Sequence, residues 1–371
     1  MKFSIFYHKK FSWEQWKQWL MSHEKIVSFV VFVGGFIIDN FTFWRIDNLL
    51  DISILFWWLF VASFGIISIN ISQHNLSRLK IFKKENIWLR LLVPFALGAL
   101  FSGFTIFYMR SAVFITSWPF LLIIISLFIG NEFFKEKYLH LIFQIVILFV
   151  SVFFLMIFFI PIVLGKMGDD IFLISGLVSL TAIGLFIHFL YLFLPKEARV
   201  KRITLLSSIG GVFLVINFFY FTNLIPPVPI SLKDAGVYHY MERTVSGKYF
   251  FQGEPKKWYD LFDWYENVHV TQGESLYFYS AVFAPTKLNT NIRHSWQYYD
   301  ERLRKWTTSA DILFPIYGGA DGGYRGYSEK TNIFPGKWKV DVTDERGRVL
   351  GRMRFEIISV SDSIKLFSVV K

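Results

Sequence analysis

Cysteine is absent from this 371-residue chain. Without a thiol the protein forms no disulfide, holds no cysteine-ligated metal and has no thiolate nucleophile. Charged residues are also scarce, at 18%, whereas 54% of the residues are hydrophobic and 20% are aromatic. The first absence excludes thiol redox proteins and zinc ribbons. The scarcity of charged residues indicates that a large part of the chain lies in lipid and not in water.

Sequence signatures of catalysis are missing as well. The chain has no acyl-transfer triad pattern, no metal-ligand spacing and no nucleotide fingerprint, and its glycine-rich loop at 318–323 resembles neither a phosphate loop nor a calcium repeat. We therefore expect no cofactor and no metal, and a non-enzymatic role is favoured, although residues distant in sequence could still converge. The net charge of +11 does not make nucleic acid an expected partner, because the basic residues of the first half lie in short loops between apolar segments.

The first half of the chain contains long hydrophobic runs. Seven of them approach or exceed the roughly 20 residues that a helix needs to cross a bilayer, at about 26–44, 52–70, 87–109, 112–130, 138–164, 170–194 and 203–225. Ahead of them, four apolar side chains share one helical face: Trp13, Trp16, Trp19 and Leu20. This pattern predicts that 1–25 is a cytoplasmic amphipathic segment on the membrane surface. The alternative is a loosely ordered cytoplasmic tail.

The double proline at 226–227 ends the apolar half. Proline cannot continue a helix and forces the residue before it into extended backbone, so the last helix is predicted to end at Ile225. After this point the sequence is polar and alternating. The chain then divides into three predicted parts: a helical membrane bundle at 26–225, a proline-rich stalk at 226–230 and a water-soluble domain at 231–371.

Lysine and arginine are distributed unequally among the connections between the apolar runs. They concentrate in the N-terminal segment and in every second connection after it, whereas the other connections hold only Arg45, Arg110 and Lys166. Basic loops stay in the cytoplasm. With seven spans, this predicts a cytoplasmic N-terminus and a periplasmic or extracellular C-terminal domain. The predicted location is a bacterial inner (plasma) membrane, with the lipid bilayer as the first partner.

The outer half alternates hydrophobic and polar residues in short runs separated by turns. The run at 276–283 ends before Pro285, a second follows at 292–298, and a hairpin turns at 344–347. Such alternation is typical of strands with one buried face. About seven strands of this kind predict an all-β, immunoglobulin-like antiparallel sandwich. The predicted fold class is therefore a polytopic α-helical membrane bundle of about seven transmembrane helices, followed by this sandwich.

Several short motifs carry a family resemblance. They are Ile292-Arg293-His294-Ser295-Trp296, Tyr324-Arg325-Gly326-Tyr327-Ser328-Glu329-Lys330, and Pro335-Gly336-Lys337-Trp338-Lys339-Val340 with Gly347 and Val349-Leu350-Gly351, together with the runs at 35–39, 45–47, 117–120 and 130–132. With these motifs the chain resembles the bacterial membrane proteins that end in domain-of-unknown-function family 2914 (DUF2914). The resemblance covers nearly the whole chain. It implies the two-part layout and adds no activity.

Six residues in two of these motifs form the first candidate site: His294, Trp296, Tyr324, Arg325, Tyr327 and Ser328. Aromatic rings beside an arginine can stack on a ligand and bind its anionic or hydroxyl groups. This predicts that the outer domain binds an envelope glycan or a partner membrane protein. The alternative is that Trp296 belongs to the sandwich core and that Arg325 pairs with a local acid.

A second candidate site is the polar cluster at the outer end of the first two predicted spans: Asp39, Asn40, Arg45, Asp47 and Asp51. Polar groups at membrane depth often mark function. Here Asp39 or Asp47 could act as acid or base while Arg45 holds an anion, which would make the protein an enzyme or transporter for a lipid-linked substrate. The alternative is an interfacial loop in which Arg45 pairs with Asp47 or Asp51.

Overall fold

The computed structural model describes most of the chain and divides it into two compact units, residues 1–44 and 45–371. The described residues are 24–43, 45–74, 87–131, 133, 137–196, 199–245, 248–255, 265–271, 273–320, 322–361 and 364–370. The predicted amphipathic segment lies outside them except for its last two residues. The second unit contains both helices and strands, so the helical and β-rich parts can be described together.

Seven helices occur in the described part: α1 (Glu24–Thr42), α2 (Leu49–Gln73), α3 (Ile87–Ser111), α4 (Phe114–Gly130), α5 (Leu141–Leu164), α6 (Asp169–Phe193) and α7 (Arg202–Phe221). Local signals set several of their ends. Asn48 caps α2 by accepting a hydrogen bond from the backbone N–H of Leu50, and Gly165, with φ of +66°, ends α5. The predicted end of the last helix at Ile225 is four residues late, because α7 ends at Phe221.

Five of these helices are long and apolar enough to cross a membrane: Leu49–Gln73, Leu91–Ser111, Leu141–Leu164, Asp169–Phe193 and Arg202–Phe221. The sequence predicts seven spans, and five of them are identified by length and composition among the described residues. Helix α4 has 17 residues, Phe114–Gly130, because the chain breaks helical structure at residues 112–113; Ser117–Gly130 is counted among the shorter apolar helices. The side chains of the first half of α1 lie outside the described residues, so α1 does not count towards the five.

A chain of buried amides and a tyrosine joins three of the helices at the end of the bundle opposite the β-rich part. The side-chain amide of Asn70 on α2 donates to Gln144 Oε1 on α5 at 2.6 Å. Gln144 Nε2 donates to the carbonyl oxygen of Tyr138 at 2.5 Å, and the Tyr138 hydroxyl donates to the side chain of Asn131 after α4. Such interhelical bonds hold helices together in lipid. The bundle is therefore compact.

Eleven strands follow in the described part: β1 (Ser231–Tyr238), β2 (Tyr240–Arg243), β3 (Tyr249–Gly253), β4 (Glu266–Val270), β5 (Leu276–Phe283), β6 (Asn289–Asp300), β7 (Lys305–Tyr317), β8 (Tyr324–Lys330), β9 (Gly336–Asp344), β10 (Val349–Ser359) and β11 (Phe367–Val370). They form three sheets, in the orders β1-β5-β8, β4-β10-β9-β6-β7 and β11-β3-β2. The pairs are antiparallel except for β4 with β10, which is parallel. The sequence predicts about seven strands, all antiparallel.

The β1-β5-β8 sheet is the middle of three layers. Phe278 and Val282 of β5 pack in one core with the five-stranded sheet, whereas Tyr279 and Ala281 pack in a second core with Met241 and other residues of β2 and β3. Successive side chains on a strand point to opposite faces. Strand β5 is apolar on both faces because each face is covered. The β11-β3-β2 sheet has no counterpart in the two-layer arrangement that the sequence predicts.

The helices and the β-rich part meet at several helix ends. The Asp47 carboxylate, before α2, accepts a hydrogen bond from the backbone N–H of Thr286 at 3.3 Å. Met167, between α5 and α6, packs against the larger β core, and Arg346 Cζ lies 4.4 Å from the centre of the Tyr220 ring. Residues 225–231 are all buried. The residues predicted to form a stalk, 226–230, are therefore buried where the helices meet the β-rich part, and they do not hold the two parts away from each other.

Candidate functional site

The six residues of the first candidate site divide between the two faces of β8. Ser328 lies opposite Phe278 of β5, and Tyr327 lies opposite Tyr279. Because side chains alternate along a strand, Tyr324 and Ser328 face the core shared with the five-stranded sheet, whereas Arg325 and Tyr327 face the β2–β3 side. The structure brings His294 and Trp296 together with Ser328 alone.

The buried half of this set is a closed hydrogen-bond network. His294 Nε2 lies 2.7 Å from Ser280 Oγ, His294 Nδ1 lies 2.9 Å from Ser328 Oγ, and Trp296 Nε1 donates to Ser328 Oγ at 3.0 Å. Burial lowers the pKa of His294 to about 3, so its ring is neutral at physiological pH. Since Trp296 is 0% exposed, it offers no ring face to a ligand here. This is the arrangement that the core alternative describes.

The exposed half joins a row of tyrosines. The ring of Tyr327 lies 6.2 Å from that of Tyr277, which in turn lies 6.0 Å from Tyr240. The hydroxyl of Tyr249 donates to the carbonyl oxygen of Arg325 at 3.0 Å. Tyr327 therefore remains available on the surface, whereas the tryptophan predicted to stack beside it lies on the other side of the sheet.

The polar cluster near the membrane is divided as well. Asp39 and Asn40 belong to α1 in the first unit, and Arg45, Asp47 and Asp51 belong to the second. Arg45 Nε and one of its terminal nitrogens each donate to a different oxygen of Asp47, both at 2.9 Å. The Arg45 backbone N–H also donates to Asp51 Oδ2 at 3.2 Å, and Asp51 is 3% exposed. Arg45 thus pairs with Asp47, as the interfacial-loop alternative describes.

A cavity of about 550 Å³ opens between β1, β3, β4 and β11. Three aromatic and three acidic residues contribute to its wall: Tyr238, Phe251, Phe367, Asp234, Glu254 and Glu266. Strands β1 and β4 are edge strands of two different sheets, so the space between them is not filled by a further strand. No pattern in the sequence predicts this site.

Two glycines make room for the ring of Tyr238 beside the cavity. A Cβ atom on Gly236 would lie 2.8 Å from Tyr238 Cε2, and one on Gly253 would lie 3.0 Å from Tyr238 Cδ1. Real side chains avoid such distances. Burial, followed by the charges of Asp234 and Glu266, raises the pKa of Tyr238 to about 12. The phenol therefore stays protonated and can donate a hydrogen bond.

Beside the cavity, two histidines and two glutamates alternate in a chain of contacts. His239 Nδ1 lies 2.6 Å from Glu274 Oε1, and His239 Nε2 lies 3.2 Å from Glu254 Oε1. The other oxygen of Glu254 lies 2.7 Å from His269 Nδ1. Because both ring nitrogens of His239 face carboxylates, both donate when the ring is protonated. Nothing in the linear spacing of residues 239, 254, 269 and 274 signals this arrangement.

The pKa values of the network follow from these contacts. Burial alone lowers the pKa of His239, but the hydrogen bonds and charges of Glu254 and Glu274 outweigh burial and raise it above 6.5. Burial alone raises the pKa of Glu254, but its hydrogen bonds with His239 and His269 lower it below 4.5. The pKa of Glu274 is also lowered, with the Thr271 backbone N–H and His239 opposing burial. Glu254 and Glu274 are therefore ionised near neutral pH, and their charges favour the protonated form of His239.

We expect this network to give the protein a stability maximum in pH. The contribution of His239 is complete below pH 6.5 and is lost as pH rises through its raised folded-state pKa. The contributions of Glu254 and Glu274 are complete above pH 4.5 and are lost as pH falls through their lowered values. Thermal melting of the full chain against pH should show the maximum between these limits.

In His239→Gln the loss of stability on the alkaline side should flatten, whereas His140→Gln, outside the network, should leave that loss unchanged. Equal alkaline losses in wild type and His239→Gln would contradict the assignment.

Comparisons with known proteins give one family model that matches part of the C-terminal region. The family model described as "Protein of unknown function (DUF2914)" matches residues 289–357, from β6 into β10, and confirms the resemblance of the C-terminal region. No curated protein matches the chain.

Two solved structures are similar only weakly. One is a β-glucosidase from Listeria innocua in complex with gluconolactone, at 10% identity and a TM-score of 0.19, covering 33% of this chain and 16% of that chain. The chain thus spans about one sixth of the length of the glucosidase. The other is the Pseudomonas fluorescens alkylpurine DNA glycosylase AlkC bound to DNA containing an abasic site analog, at 8% identity and a TM-score of 0.22, covering 85% of this chain and 100% of that chain. At these TM-scores neither likeness supports an argument about fold or function.

Proposed function

We propose that this chain is a non-enzymatic, multi-pass membrane protein whose β-rich part binds an envelope glycan in the cavity between β1, β3, β4 and β11. The observation that carries the proposal is the cavity itself. Its volume of about 550 Å³ lies in the range of roughly 300–1,000 Å³ that is usual for small-ligand sites. It also combines aromatic surface with converging polar groups.

The chemistry of the wall suits a sugar. A pyranose ring has apolar C–H faces, which pack on an exposed aromatic ring such as that of Phe367. Its hydroxyl groups donate hydrogen bonds, and the carboxylates of Asp234, Glu254 and Glu266 accept them. Charge-assisted hydrogen bonds of this kind are stronger than neutral ones. Peptidoglycan fragments are the class of envelope glycan that we expect to bind.

The membrane arrangement belongs to the same proposal. We infer that α1 and α4 also cross the bilayer, which gives seven spans, and that the basic connections of the first half lie in the cytoplasm of a bacterial inner membrane. The β-rich part would then be periplasmic or extracellular. The β1-β5-β8 and five-stranded sheets, packed on one core, support an immunoglobulin-like sandwich to which β11-β3-β2 is an addition.

Glycan binding can be tested with the full chain in lipid nanodiscs and a defined muropeptide as ligand, by calorimetry. Phe367→Ala removes an aromatic wall and Glu266→Gln removes an acceptor charge; each should weaken binding by about tenfold or more, as a lost charged hydrogen bond or buried aromatic contact does. Leu303→Ala and Glu301→Gln, in the exposed turn between β6 and β7, are the matched controls. The proposal fails if the muropeptide does not bind, or if the cavity variants bind it as tightly as the controls.

A further inference from the structure

Three basic side chains from three elements meet where the helices join the β-rich part. Lys233 lies on β1, Arg45 precedes α2, and Arg110 lies in the last turn of α3. Lys233 Nζ is 5.3 Å from the centre of the Phe283 ring, and Arg45 Cζ is 5.2 Å from the centre of the same ring. The charge of Arg110 also acts on Lys233. The strand therefore places its lysine beside two arginines.

The carboxylates at this joint are committed to residues other than Lys233. Asp47 binds Arg45 through both oxygens. Asp51 accepts hydrogen bonds from the Arg45 backbone N–H and the Asn48 side chain, and its charge acts on Arg110. Within the described part of the chain, three cations thus face these two carboxylates. The next residue on β1, Asp234, contributes to the wall of the cavity.

Lys233 carries the unbalanced charge. Among the described residues no carboxylate lies within ion-pair distance of it, and the two charges that act on it most are both positive. Burial, then Arg110 and Arg45, lowers its pKa. An ammonium group beside like charges is stabilised by any anion that comes between them. The position therefore favours the binding of an anion.

The surroundings of Lys233 select the kind of anion. Arg110 ends an apolar helix, and its neighbour Met109 is 49% exposed; on α2, which packs against α3, Leu50 is 72% exposed in the first turn. Exposed apolar side chains at a helix end border the hydrocarbon of a bilayer, and lipid phosphates lie at that depth. A ligand here meets the cations of Lys233 and Arg110 on one side and the apolar side chains of Met109 and Leu50 on the other. Such a ligand is amphiphilic.

We propose that Lys233, with Arg110 beside it, binds the phosphate of an anionic membrane lipid in the leaflet next to the β-rich part, with the acyl chains against Leu50 and Met109. Arg45, which the sequence analysis considered as the anion holder, is bound to Asp47 and positions the joint instead. Lysine suits phosphate as a point charge. The proposal is independent of glycan binding and of which side of the membrane is outside.

The test is native mass spectrometry of the full-length protein released from nanodiscs that contain phosphatidylglycerol and phosphatidylcholine in equal amounts. Wild-type protein should retain phosphatidylglycerol in preference to phosphatidylcholine. Lys233→Gln should reduce that retention about tenfold or more, as loss of a charged hydrogen bond does, whereas Lys233→Arg should keep it. The matched control is Lys287→Gln, which removes the same charge from another exposed position on the same end of the β-rich part.

Three results would overturn the proposal. Equal retention of the two lipids would show that the charge of the lipid does not matter. Equal loss in Lys233→Gln and Lys287→Gln would show that only the overall charge of this end matters. Displacement of the lipid by inorganic phosphate alone, at matched concentration, would assign the site to free phosphate. Melting curves of each variant exclude unfolding as the cause of any loss.

Discussion

Trp296→Ala is expected to lower the free energy of unfolding of the β-rich part by about 3–5 kcal/mol, the usual range for a buried large aromatic residue. Trp296 is 0% exposed and its ring lies 6.2 Å from Phe278 and 6.1 Å from Phe355. The change also removes the indole donor of the Ser328 hydroxyl. Since most domains are stable by only about 5–15 kcal/mol, the change should remove a large part of the stability.

The matched comparison is Tyr327→Ala on β8. Tyr327 is 40% exposed, so we expect its loss to change the free energy of unfolding by less than about 1 kcal/mol. Denaturant unfolding followed by tryptophan fluorescence, with Trp306→Phe measured as a fluorescence control, gives both values. If Trp296→Ala proves as stable as Tyr327→Ala and instead loses ligand, then the tryptophan serves binding and the core assignment is wrong.

Gly318→Ala should have the second largest effect, a loss of about 3 kcal/mol, at the upper end of what overpacking costs. A Cβ atom on Gly318 would overlap the carbonyl oxygen of Pro285 and would lie 2.9 Å from that of Leu288. Both obstacles are backbone atoms, which cannot rotate away. The loop from Pro285 to Leu288 also carries Thr286, which contacts Asp47, so the displacement should reach the helices.

The same glycine loop provides the control for this variant. A Cβ atom on Gly322 would meet only a terminal nitrogen of Arg325, at 3.9 Å, which is an ordinary contact. Gly322→Ala should therefore melt within a few degrees of wild type, since small surface changes rarely exceed about 0.5 kcal/mol. Melting temperatures of the full chain in nanodiscs compare the two. Equal melting of Gly318→Ala and wild type would contradict the packing that we describe around Pro285.

Features encoded by neighbouring residues could be predicted from the sequence. The run from Leu276 to Phe283 is a strand, as its pattern predicts, and the last hairpin turns at 344–347 between β9 and β10. The change from helix to strand lies at the double proline because proline has no N–H to donate. The number of spans was harder, since apolar length alone does not show where α4 begins.

Features made by residues far apart in sequence could not be predicted. The cavity wall combines Asp234, Glu254 and Phe367, and no periodicity connects positions so distant. The parallel pairing of β4 with β10 creates the same difficulty, because alternation within a strand does not identify its neighbour. The first candidate site was divided for a related reason: Tyr327 and Ser328 are adjacent in sequence, and adjacency on a strand means opposite faces.

The burial of residues 225–231 affects how this protein can be cut into pieces. Ile230 is 0% exposed and belongs to the larger β core, against which Met167 from the helical part also packs. A soluble fragment that begins after the prolines would leave this apolar surface uncovered, and exposed apolar patches promote aggregation. The natural boundary for truncation is therefore not the one that the prolines suggest.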